Sequence, residues 1–100
     1  MLKKTKIICT MGPTTEKEGI LDDLIANGMN CARFNFSHGD HAEHLGRITA
    51  VREAAAKADK VISLILDTKG PEMRLGEFRD GKVMLEKGNR FVLTYSDEPG

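Results

Sequence analysis

The stretch ARFNFSHGD, residues 32–40, sets Arg33, Asn35 and Ser37 in alternation with Phe34 and Phe36. In an extended chain successive side chains point to opposite faces, so the two rings share one face and the three polar groups share the other. Taking a guanidinium out of water without a partner costs several kcal/mol, more than the roughly 2 kcal/mol gained by burying each Phe. The polar face must therefore meet something. A second polar set follows in LDTKGPEMR, with Asp67 and Thr68 ahead of Lys69 and Arg74.

Asn35, Ser37, Asp67 and Thr68 could surround one point with an amide oxygen, hydroxyls, a carboxylate and a backbone carbonyl. Hard cations take oxygen ligands, and a set with a single carboxylate suits a large, weakly hydrated monovalent ion better than a divalent one. Arg33, beside it, is a planar fork for phosphate or carboxylate. An anion and a cation held side by side point to phosphoryl chemistry.

Plainer readings stand beside these. Arg33 could pair with Asp67 across neighbouring strands as a structural ion pair, and the spacing supports that as well as it supports a ligand site. SHGD reads equally as a helix start, and DTKGPE as a linker turn punctuated by Gly-Pro. His38, His41 and His44 lack the HExxH spacing, and the latter two fall in a helix's first turn, so they read as structural. The mixed charges of residues 16–18 and 52–60 read as solvated helix faces.

The elements that would carry these groups follow from period. Lys6 to Thr10 reads as a strand closed by Gly12 and Pro13. Thr15 with Glu18 reads as a capping box, after which Ile20, Leu21, Leu24 and Ile25 recur at helical spacing up to a stop at Gly28. The second unit repeats the pattern: Met29 to Phe36 is strand-like and Asp40 with Glu43 caps a helix whose expected buried stripe is Ala42, Leu45, Ile48, Val51 and Ala55. A third strand, VISLIL at Val61 to Leu66, suits a parallel sheet covered on both faces. After Gly70 and Pro71 the period switches: Asp80-Gly81 is a hairpin signal, flanked by Val83 and Leu85 and by Phe91, Leu93 and Tyr95 at period two. The expected architecture is thus α/β, with residues 1–70 a β-α-β-α-β portion and 71–100 the start of a β-rich second unit.

Three parallel strands and two helices leave apolar surface and a strand edge open, so an open doubly wound sheet or a (β/α)8 barrel would complete them. Sites in either collect at the carboxyl ends of the strands. The bulk numbers agree with a globular protein: 100 residues, 40% apolar, 30% charged, with Lys plus Arg and Asp plus Glu at 15 each. That balance argues against nucleic-acid and membrane-surface partners. Cys9 and Cys31 sit in apolar runs and read as reduced core residues. The apolar stretch near the start is too short for a signal peptide or a span, so a cytoplasmic location is the default.

Three segments carry a family resemblance: KIICTMGPTT, GMNCARFNFSHG and LDTKGPEMR resemble segments of pyruvate kinases, in order and at matching separations. Phe34 stands where that family usually has Leu, and Met73 where it has Ile; neither swap touches a polar position. The resemblance implies the N-terminal part of a (β/α)8 TIM barrel, followed near residue 71 by the start of an inserted all-β lid domain. It implies transfer of the phosphoryl group of phosphoenolpyruvate to ADP, giving ATP and pyruvate in glycolysis. By matching motif, Arg33 would be the catalytic, substrate-binding residue at the phosphate. Asn35, Ser37, Asp67 and Thr68 would hold K+. Asn35, Phe36, Ser37, His38 and Arg74 would lie along the nucleotide, and Glu72 would mark potassium dependence. The Mg2+ ligands and the Lys that stabilises the transferring phosphoryl would lie beyond residue 100, leaving these residues inactive alone. A homotetramer is the family's usual assembly. Two other classes stay open: a barrel enzyme working through a metal enolate, which would need a carboxylate pair, and a non-catalytic scaffold that keeps the cation pocket.

Overall fold

The computed structural model describes residues 3–100. Three strands, β1 (Ile7–Thr10), β2 (Met29–Asn35) and β3 (Ser63–Asp67), form one parallel sheet in the order β1-β2-β3. Two helices, α1 (Ile20–Ala26) and α2 (His41–Lys57), alternate with them in the chain. The alternation is the one the periodicity predicts, and each strand lies within a residue or two of its expected bounds. β3 departs most: Val61 and Ile62 lie before the strand, and Asp67 closes it.

The sheet sorts its side chains as the alternation of β2 requires. Ala32 and Phe34 are fully buried on the helix side, where they cluster with Met11, Ile25, Met29, Val51 and Ala54. Strand pairing puts Thr10 opposite Arg33 and Asn35 opposite Asp67. These are neighbours on the other face, where Ile8 is 58% and Ile65 37% exposed. Cys31 is buried, Cys9 half-buried, and both are free thiols.

Two details of the helices differ from expectation. Thr15 does not cap α1 with Glu18. Its Oγ1 instead accepts from Gly12 N at 3.0 Å and donates to Gly12 O at 2.8 Å. This ties off a separate 3-10 turn at Pro13–Glu16, and α1 begins only at Ile20, after Gly19 with φ of 79°. A threonine hydroxyl bonded to nearby backbone competes with helix, and here the local bond wins.

In α2, Asp40 caps as expected: Glu43 N donates to Asp40 Oδ1 at 2.8 Å and Asp40 N to Glu43 Oε2 at 3.1 Å. The buried stripe, however, is His44, Val51, Ala54 and Ala55, with Ile48 packed against the core. Leu45 is 64% exposed and Ala42 lies in solvent. Positions 44, 48, 51 and 55 follow the 3.6-residue period, whereas 42, 45 and 48 drift off it. The helix is rotated so that a histidine, not a leucine, faces inward, where it stacks on Phe36 just past β2.

The chain divides into two compact units between Gly70 and Pro71. In the second unit the expected Asp80-Gly81 turn is present, with Gly81 N donating to Phe78 O at 2.8 Å and Gly81 at φ of 74°. A second turn brings Asn89 N to Glu86 O at 3.1 Å. The strands expected around them are absent among the described residues. Val83, Leu93 and Tyr95, the would-be inward residues, are exposed. An isolated hairpin is marginal without a surface to bury its apolar face, so the turn forms while the ladder does not.

Candidate functional site

The polar groups singled out in β2 and β3 meet at the carboxyl ends of those strands. Pairing continues one step past the ladder, with Phe36 N donating to Asp67 O at 2.9 Å, so the segments that leave the two strands start side by side. Arg33 lies across the sheet beneath them. Its Nε donates to Asp67 Oδ2 at 2.9 Å, its Nη2 donates to the same oxygen, and its Nη1 donates to Thr10 Oγ1 at 3.2 Å. The guanidinium thus spans all three strands.

Two features of this pairing leave capacity for a ligand. A guanidinium has five N–H donors, and those bonds use three, so one on each Nη is without a partner among the described residues. Both contacts to Asp67 fall on Oδ2, which leaves Oδ1 without a hydrogen bond among the described residues. The pair is also open to water, with side-chain exposures of 33% for Arg33 and 43% for Asp67. An ion pair this exposed is worth about 0 to 1 kcal/mol to the fold. Stability alone is a weak reason for it.

Residues 35–38 form a tight turn above the pair. Asn35 Oδ1 accepts from Ser37 N at 3.1 Å, and His38 N donates to Asn35 O at 3.3 Å. That bond fixes the Asn35 oxygen at the turn and uses one of its two lone pairs. Asn35, Phe36 and Ser37 are half-buried, and His38 and Thr68 are exposed. With Asp67 Oδ1, the set offers one carboxylate and several neutral oxygens, which fits a monovalent cation better than a divalent one. Among the described residues, no cluster of three or more His, Cys, Asp and Glu side chains is arranged to hold a metal.

Glu72 and Arg74 belong to the second unit, where Arg74 Nε donates to Glu72 Oε2 at 2.7 Å. The hydrogen bond and charge of Glu72 hold the Arg74 guanidinium above its ordinary range, with desolvation opposing weakly. Arg74 is therefore a fixed positive charge at any working pH.

Two residues of the site escape a reading by motif. Thr10 closes β1 opposite Arg33, a position knowable only from register. His44, read as structural from its place early in the helix, lies buried beneath the 35–38 turn; its signal is the 44, 48, 51, 55 spacing.

A parallel α/β unit with its polar groups gathered at the carboxyl ends of adjacent strands is the ligand-binding arrangement of barrel and doubly wound enzymes. Comparison with known proteins narrows this. The family described as "Pyruvate kinase, barrel domain" matches residues 2–99, so the chain belongs to the pyruvate kinase family. Pyruvate kinases of two Staphylococcus aureus strains, USA300 and COL, are each 48% identical over 99 residues, covering 99% of this chain and 17% of theirs. A crystal structure of the Cryptosporidium parvum pyruvate kinase superposes with a TM-score of 0.68 at 48% identity, over 78% of this chain and 16% of that one. The chain therefore spans about a sixth of the length of the relatives it matches.

Proposed function

We propose that this chain contributes the phosphate and cation corner of an enzyme that moves the phosphoryl group of phosphoenolpyruvate to ADP, as in glycolysis. In that reaction the bond from phosphorus to the enol oxygen breaks, an oxygen of the ADP β-phosphate takes its place, and the enolate left behind is protonated to pyruvate. The observation that carries the reading is the Arg33 fork, held by Asp67 and Thr10 with two N–H donors unused among the described residues, beside oxygens of the β2 and β3 tips.

Each residue then has a stated task. Arg33 takes the substrate phosphate on its free N–H groups, while its bonds to Asp67 and Thr10 keep the fork from rotating. Asn35, Ser37, Asp67 and Thr68 hold K+, and Asp67 serves both partners, one oxygen toward the guanidinium and one toward the cation. When bound, K+ supplies a fixed positive charge beside the transferring group, where preorganised charge lowers the barrel's reaction barrier most. Asn35, Phe36, Ser37, His38 and Arg74 run along the nucleotide. Glu72 sets the potassium requirement.

The remaining parts belong to chain outside residues 1–100: the Mg2+ ligands, the Lys at the transferring phosphoryl, and the strands that would cover Ile8 and Ile65. On this reading residues 1–70 are the first portion of the catalytic barrel, 71–100 begin its lid, and the whole enzyme is a cytoplasmic homotetramer. These residues alone form no ATP.

The competing reading, a purely structural Arg33–Asp67 pair, draws on the three hydrogen bonds the guanidinium already makes. Arg33→Ala in the full-length enzyme separates the two. Loss of a charge-assisted phosphate contact of about 1.5 to 3 kcal/mol lowers kcat/KM for phosphoenolpyruvate on the order of 10- to 100-fold or more. Unchanged turnover with a small loss of stability would return Arg33 to the structural reading.

A further inference from the structure

The only buried side-chain nitrogen or oxygen without a hydrogen-bond partner among the described residues is Nδ1 of His44. His44 is 3% exposed. Its other nitrogen, Nε2, lies 2.6 Å from the backbone oxygen of His38. A carbonyl oxygen can only accept, so Nε2 carries the hydrogen of that bond, and Nδ1 is left without a partner. The imidazole ring stacks on Phe36, with centroids 4.2 Å apart and planes inclined by 18°.

One side chain thus grips the 35–38 turn at two points, the ring of residue 36 and the carbonyl of residue 38. Ser37 lies between these two points, and its backbone N–H donates to Asn35 Oδ1, which links it to the start of the turn. Gly39 is suited to the turn that leads to this contact. At φ of 73° it turns the chain into α2, and a Cβ there would come 3.4 Å from His44 Nε2 and 2.5 Å from Glu43 Oε2. Burying an imidazole with one nitrogen unsatisfied costs stability that an apolar residue would not. A leucine at position 44 would fill the core more cheaply.

We propose that His44 is a positioning residue: it touches no ligand, and it fixes the 35–38 turn in the shape that presents Asn35 and Ser37 to the cation and residues 35–38 to the nucleotide. The inference rests on the function proposed above for that turn. It assigns the turn's geometry to the helix beneath it rather than to the turn's own two internal bonds.

The test uses two variants of the full-length enzyme. His44→Phe keeps a ring to stack on Phe36 and loses the donor, and His44→Gln keeps an N–H donor and loses the ring. Loss of the grip on His38 predicts that His44→Phe raises KM for ADP and the K+ concentration at half-activation by roughly 5- to 10-fold, with KM for phosphoenolpyruvate within about twofold of the parent. His44→Gln recovers a measurable part of both. A fall in kcat and in thermal stability with the ADP and K+ responses unchanged would mean that His44 only fills the core, and would overturn the proposal. Asn35→Ala serves as the control on the underlying reading. If it leaves K+ and ADP responses unchanged, the proposed function of the turn fails; if it impairs them while His44→Phe does not, the positioning role alone fails.

Discussion

Asp67 holds two partners on the proposed reading, and a single substitution separates the structural one from the functional one. Because its pair with Arg33 is partly exposed, Asp67→Asn is expected to cost the fold less than about 1 kcal/mol in urea unfolding. The same change removes the one negative charge offered to the cation and loosens the guanidinium, so turnover is expected to fall about 10-fold or more and half-activation by K+ to move upward. A large loss of stability with an unchanged K+ response would reverse that assignment. At Glu72, a Lys in place of the carboxylate is expected to weaken the dependence on K+, since it brings a fixed positive charge of its own. Steady-state rates measured with and without K+ check this, and an unaltered requirement counts against Glu72 as a determinant. Much of the site is visible in the sequence at this scale, because strict alternation in RFNFS forces its polar members onto one face. Thr10 is not, since nothing local to β1 says which residue of β2 it will face.

The elements carry the site through a few costly positions. Phe34 is fully buried against Val51 and Ala32, so Phe34→Ala is expected to cost about 3 to 5 kcal/mol, a large share of the 5 to 15 kcal/mol typical of a whole domain. Asp40→Ala removes the α2 cap and is expected to cost about 1 kcal/mol. Chemical denaturation measures both, and comparable effects from the two would contradict the packing described here. The elements also show where sequence reasoning stops. β2 and the α2 cap are legible because each is specified within a few residues. The start of α1 is not, because Thr15 bonds back to Gly12 rather than forward. The face of α2 is misjudged when His44 is counted as polar, although stacking on Phe36 makes it part of the core. In residues 71–100 the turn at Asp80-Gly81 needs only local bonds, whereas its flanking strands need a surface to pack on.

At the scale of the molecule, the sheet presents one finished face and one unfinished face. The helix side is packed around Phe34 and Val51; the other side exposes Ile8 and Ile65 next to Arg33 and Asp67. That asymmetry suits a segment whose inner face is completed by further strands, which would also dry the site and strengthen every charge in it. The most direct measurement is anomalous diffraction from crystals of the full-length enzyme in which K+ is replaced by Tl+. A potassium site at the strand tips predicts a peak bounded by Asn35, Ser37, Asp67 and Thr68, with the Arg33 guanidinium beside it. A well-ordered site with no peak there, and Arg33 directed away into solvent, would contradict it.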